Sequence, residues 1–134
     1  TKRNIANSLI SNLPIIIISV SIIILMKFLN INKFVPRETI YFYLFYIFIS
    51  CPIQEFLYRG FYGYFDNGKH STMLISSSMY AFVHIIYKDI LTIVLTFIIG
   101  LIWYNLYIKD KNLFGVSISH CIIGVVTIFL GIID

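Results

Sequence analysis

From Ser8 to Met26 the chain carries no charged residue and is dominated by isoleucine. A helix that crosses a bilayer needs about 20 mostly apolar residues, and stretches of this kind recur along the whole chain. The first ends near Lys27. A polar linker runs from Asn30 to Arg37, with Pro36 placed to open the next helix. The second helix reads from near Glu38 through Pro52, Glu55 and Arg59 to about Phe65, and Asp66-Asn67-Gly68-Lys69 is a turn. A third helix takes Ser71 to Tyr87, with a polar break at Lys88-Asp89. A fourth takes Ile90 to Ile108, followed by a turn at Lys109-Asp110-Lys111-Asn112. The last takes Leu113 to about Ile133. β-branched residues abound and by themselves favour strands. Strands of a membrane barrel, however, alternate apolar and polar residues, whereas these runs are apolar on every face. The expected fold is all-α, a polytopic transmembrane bundle of about five helices. Residues 1–37 form an N-terminal helix with its linker, residues 38–134 form the core, and there is no internal repeat.

Composition points the same way. Hydrophobic residues make up 59% and charged residues 12%, with a mean hydropathy of +0.89, while a soluble domain carries about 25% charged residues. The chain has too little polar surface to cover a water-soluble fold, so lipid is its expected solvent and a multi-pass membrane location follows. The net charge of +4 does not mark a nucleic-acid face. Lys2, Arg3, Lys27, Lys33, Arg37, Lys69, Lys88, Lys109 and Lys111 sit at or near the ends of apolar runs, where basic residues anchor helices at headgroups. With the N-terminus inside, five basic residues fall on the cytoplasmic side against four opposite, excluding Arg59. That lean puts the turns at 66–70 and 109–112 in the cytoplasm. Cys51 and Cys121 lie within apolar runs without C-x-x-C spacing and read as small core residues. The chain opens Thr-Lys-Arg-Asn without an initiating methionine, as a processed or partial chain does. Its first apolar run is too long for a signal peptide and no small-residue cleavage site follows.

Against this background a few polar residues stand where lipid is unfavourable. A charge at mid-bilayer costs about 2.5–3.5 kcal/mol on insertion scales, so such residues face the protein interior and commonly carry function. They are Glu55, Arg59, His84 and His120, with uncharged Gln54 beside them. At the helical rise per residue, Gln54 and Glu55 lie about 18–20 Å from the turn at Asn67, and His84 about 25 Å. His120 lies about 14 Å from the turn at Lys111, on the same membrane side. Three helices thus bring polar groups to a shared level. Glu55 and Arg59 have the favourable i,i+4 order for an ion pair, and the pair lowers the cost of burying either charge. A structural brace between helices would use the same pair, and a lone intramembrane histidine can serve as an interhelical hydrogen-bonding group.

The string Cys51-Pro-Ile-Gln54-Glu55-Phe-Leu-Tyr-Arg59-Gly60 resembles the first motif, Glu-Glu-x-x-x-Arg, of the CAAX-protease-like (CPBP) intramembrane endopeptidases. Tyr80-Ala-Phe-Val-His84 resembles the second, Phe-x-x-x-His, and His120-Cys-Ile-Ile-Gly124 resembles the last, His-x-x-x-Asn. The resemblance spans roughly residues 38 to 131, with all three motifs in order on consecutive membrane helices. It implies that a glutamate and the second-motif histidine activate a water while the last histidine and its asparagine hold the oxyanion. By position the water-activating glutamate falls on Gln54 and the asparagine on Gly124, and both are departures. A glutamine can position a water but cannot take its proton. Glu55 is retained, yet adjacent helical residues point about 100° apart. A distortion at Pro52 can change which of the two faces the cavity, unless Glu55 is pinned to Arg59 and turned away from His84.

The resulting expectation is an endopeptidase acting on a membrane-associated peptide or protein. Glu55, His84, His120 and Gln54 would form the catalytic set, supported by Arg59, Tyr80 and Gly124. The resemblance associates bacterial relatives with peptide maturation and bacteriocin self-immunity, and the Ile-, Asn- and Lys-rich composition suits a low-GC bacterium. The alternative on the same fold is a non-catalytic binding or immunity protein, which the two departures favour. No cofactor is expected. A zinc site of His84, His120 and Glu55 is the lesser reading, because the H-E-x-x-H pattern of zinc proteases is absent. A transporter would need further helices or inverted repeats. The aromatic run Tyr58, Phe61, Tyr62, Tyr64 and Phe65 reads as an interfacial belt or, alternatively, as the wall of a binding site.

Overall fold

The computed structural model describes residues 2–31, 35 and 38–132. The expected roles of Pro36, Lys33 and Arg37, and those of the Lys2 and Arg3 side chains, lie outside what is described. Among the described residues the fold is helical throughout, without strands. Helix α1 spans Lys2–Phe28, longer than the uncharged run because the helix continues past its lipid-facing stretch. Helix α2 spans Ile40–Tyr64. Two π-helical turns, Tyr46–Ser50 and Phe56–Phe61, flank its middle section Cys51–Glu55. Pro52 removes a backbone donor and its ring crowds the preceding turn, and widened turns are one way a helix absorbs such a defect.

Helix α3 runs over His70–Phe82 and tightens into a 3-10 segment, Val83–Tyr87, which carries His84. Lys88, at φ 53°, ends it. Helix α4 spans Ile90–Asp110. Asp89 caps it, accepting from the Thr92 backbone N–H at 3.1 Å and the Thr92 hydroxyl at 2.7 Å. Helix α5 spans Leu113–Phe129 and is capped by Asn112, which accepts from the Phe114 N–H at 2.8 Å. It stops short of the expected end, as Gly131 turns the chain at φ 73°.

α1 lies along α5, α3 packs on α4, and the middle of α2 meets α5. The α1–α5 contact depends on Gly115. Its N–H donates to Ser8 Oγ at 3.0 Å, and a β-carbon at this position would stand 2.6 Å from the Ser8 carbonyl carbon. At the same end of the bundle the Tyr104 hydroxyl donates to Asp66. The start of α1, the turn after α2 and the turn before α5 therefore share one side, as the helix count requires.

Polar and apolar residues are distributed inside out. Glu55, Arg59, Asn12 and Thr92 are wholly buried, while Ile10, Phe28, Phe48 and Ile90 are 67–80% exposed. In water this arrangement would be costly at both surfaces, whereas in lipid it is the favourable one. Asn4–Phe28, Ile40–Tyr64 and Ile90–Asp110 are each long and apolar enough to cross a membrane, and Leu113–Phe129 is a shorter apolar helix. The chain is an integral membrane protein. Cys51 and Cys121 are free and buried. The aromatic run divides: Tyr58 belongs to the core, whereas Phe61, Tyr64 and Phe65 are exposed near the α2 end.

Candidate active site

The centre of the bundle is organised around Glu55. Its Oε1 accepts from His120 Nδ1 at 2.6 Å and lies 3.3 Å from Arg59 Nη1. All three side chains are almost completely shielded from the surroundings. Arg59 has few polar neighbours and is held instead between aromatic faces, its guanidinium carbon 4.4 Å from the Tyr80 ring centre and 5.2 Å from that of Trp103. Such cation–π contacts gain strength when desolvated. Room for the guanidinium comes from Gly100, where a β-carbon would stand 3.3 Å from Arg59 Nη2 and 3.2 Å from Tyr80 Cδ1.

Tyr80 stands between the two imidazoles. Its ring meets His84 edge-on at 4.9 Å and His120 at 5.8 Å between centres, and its hydroxyl lies 3.4 Å from His120 Nε2. Trp103 stacks on His120 at 4.7 Å and donates to Ser119 Oγ at 2.8 Å. His84 Nδ1 is 2.8 Å from the Tyr80 carbonyl oxygen. A carbonyl only accepts, so Nδ1 carries the proton and neutral His84 presents a lone pair at Nε2. By the same logic His120 donates from Nδ1 to the Glu55 carboxylate, which leaves Nε2 as its other functional nitrogen.

A cavity of about 270 Å³ opens onto these groups. Its polar lining includes Tyr46, Tyr80, His84 and His120, and its apolar wall draws on Ile18 and Ile22 of α1 and Ile98 of α4. The structure therefore brings His84 and His120 into one cavity, with Tyr80 between them and Glu55 and Arg59 behind. Gly124 lies in the same lining. Gln54 is placed differently: its amide nitrogen donates to Ser50 Oγ at 2.8 Å, one turn back on α2, and it does not line the cavity. Glu55 is pinned to Arg59, and among the described residues no hydrogen bond joins it to His84. Its connection to the cavity runs through His120. Among the described residues no three His, Cys, Asp or Glu side chains are grouped to hold a metal ion, and His84, His120 and Glu55 do not form such a group.

Sequence reasoning missed Tyr46, Trp103 and Ser119. Trp103 is the single tryptophan of the chain, a signal that passes unnoticed inside an apolar helix. The family model for type II CAAX prenyl endopeptidase Rce1-like proteins matches residues 36–126, a segment that holds Gln54, Glu55, Arg59, Tyr80, His84, His120 and Gly124. The chain belongs to this Rce1-like family. The family supports a CAAX-type, intramembrane protease-like function, and the membership agrees with the three motifs read in the sequence. No curated protein and no solved structure matches the chain. Helix α1 precedes the matched segment, yet it supplies part of the cavity wall.

Proposed function

We propose that the chain is an intramembrane endopeptidase that hydrolyses a peptide bond of a membrane-associated peptide or protein. The observation that carries this reading is that His84 and His120 line one cavity with each Nδ1 already committed, to the Tyr80 carbonyl and to Glu55. The two Nε2 atoms then take different tasks. His84 Nε2 accepts a proton from the attacking water. His120, with the Glu55 carboxylate as counter-ion, carries a second proton and offers Nε2–H to the oxyanion. Water oxygen bonds to the carbonyl carbon, the C–N bond breaks, and the proton held by His84 passes to the leaving amine. Glu55 acts by orienting His120 and Arg59 by holding Glu55, while Gln54 has no direct part. The wall of isoleucines fits an apolar segment beside the scissile bond. No metal is required by this scheme. We further propose a bacterial cell membrane as its site, with peptide maturation or bacteriocin self-immunity as its setting.

A second reading, a non-catalytic membrane binding or immunity protein, draws support from the Gln54–Ser50 bond and the engagement of Glu55 with Arg59 and His120. Purified protein in liposomes distinguishes them. The probes are a fluorescence-quenched peptide ending in a farnesylated cysteine and three further residues, and an apolar leader-type peptide. The endopeptidase reading predicts cleavage of at least one, reduced at least about 100-fold in both His84→Ala and His120→Ala. Cleavage by neither, with the peptide still bound, establishes the binder instead.

A further inference from the structure

Gly124 has no side chain, and the space one would fill is occupied from another helix. A β-carbon there would overlap the Tyr46 hydroxyl oxygen and lie 2.8 Å from Tyr46 Cζ and 2.9 Å from Cε1. Tyr46 comes from the first π-helical turn of α2. Its ring meets His120 edge-on, 6.0 Å between centres, and it lines the cavity with His84, His120 and Gly124. A phenol is a competent hydrogen-bond donor, and a glycine at 124 is what admits it.

We propose that Tyr46 is a catalytic residue whose hydroxyl, together with His120 Nε2–H, binds the oxyanion; this rests on the endopeptidase reading. When the water attacks, its oxygen bonds to the substrate carbonyl carbon and its proton goes to His84 Nε2. The carbonyl π pair moves onto oxygen, where the Tyr46 and His120 donors meet it. On collapse that pair restores the C=O bond, the C–N bond breaks, and the amine leaves with the proton from His84. Tyr46 and Gly124 act as a matched pair: a small residue on α5 makes room for a donor from α2.

The test uses the full chain in liposomes and whichever of the two peptides is cleaved. Tyr46→Phe keeps the ring and removes the donor. Its kcat should fall about 100-fold with KM within about twofold, and its thermal unfolding should match wild type. Gly124→Ala, which drives the phenol out, should lower kcat in the same direction. Tyr46→Ala combined with Gly124→Asn places an amide donor in the vacated space and should recover about tenfold over Tyr46→Ala alone. A Tyr46→Phe variant with wild-type kcat overturns the inference while leaving the endopeptidase reading intact. Absence of cleavage by the wild type instead overturns the endopeptidase reading, and the role of Tyr46 falls with it.

Discussion

Glu55 holds both the Arg59 guanidinium and the His120 imidazole. Glu55→Gln leaves Arg59 buried without a countercharge, so it should destabilise the fold by about 3–5 kcal/mol, measured by unfolding in detergent. Adding Arg59→Met to Glu55→Gln should recover much of that loss. Asp66 shows a residue-scale effect outside the membrane. The Tyr104 hydroxyl, then the Gly68 N–H, holds its carboxyl below the usual carboxylate range, with Lys111 and His70 adding smaller contributions. A lowered folded value means the contribution is fully present above the ordinary carboxylate pKa and is lost as pH falls through the folded one. Asp66→Asn should therefore lower the melting temperature by a few degrees at pH 7, and the difference from wild type should vanish in strong acid. Some of this was legible from residue type and spacing. Glu55 and Arg59 are four apart on one helix, so their pairing follows from helical geometry. The bond from Glu55 to His120 joins residues 65 apart and depends on how α5 is rotated, which spacing does not encode. Tyr46 against Gly124 was hidden for the same reason: neither residue announces its partner.

The helices are legible as uninterrupted apolar runs and the turns at 66–69 and 109–112 as polar clusters, although α4 continues to Asp110 and shortens the second turn. Boundaries shifted where the helix and the lipid-facing stretch differ in length, as at the start of α1. They shifted again where backbone geometry changes type, as at Val83–Tyr87. The π turns around Pro52 were foreseeable only as a distortion. Glu55 is buried while Gln54 stays half-exposed, as adjacent residues pointing about 100° apart on a helix can be. Contact between α1 and α5 rests on the small residue Gly115, as close helix packing in membranes commonly does. Gly115→Ala sets a β-carbon against Ser8 backbone, which cannot swing aside as a side chain can. It should cost about 1–3 kcal/mol and separate the two helices, seen as reduced thermal stability and faster proteolysis of α1.

At the scale of the molecule, the inside-out distribution accounts for both location and site. An apolar exterior dissolves in lipid, and the polar groups excluded from that exterior gather at the centre, where low dielectric strengthens each of their interactions. Family membership and site geometry meet in one claim: α2, α3 and α5 hold Glu55, His84 and His120 in a fixed arrangement around one cavity. The chain has 3 histidines, so ¹⁵N-histidine NMR of the protein in nanodiscs resolves each. Protonated, hydrogen-bonded Nδ1 is expected for His84 and His120, and the signals of a solvent-exposed ring for His70. Glu55→Gln should shift the His120 signals and leave those of His84 in place. A His120 spectrum unchanged by Glu55→Gln, or indistinguishable from that of His70, would contradict it.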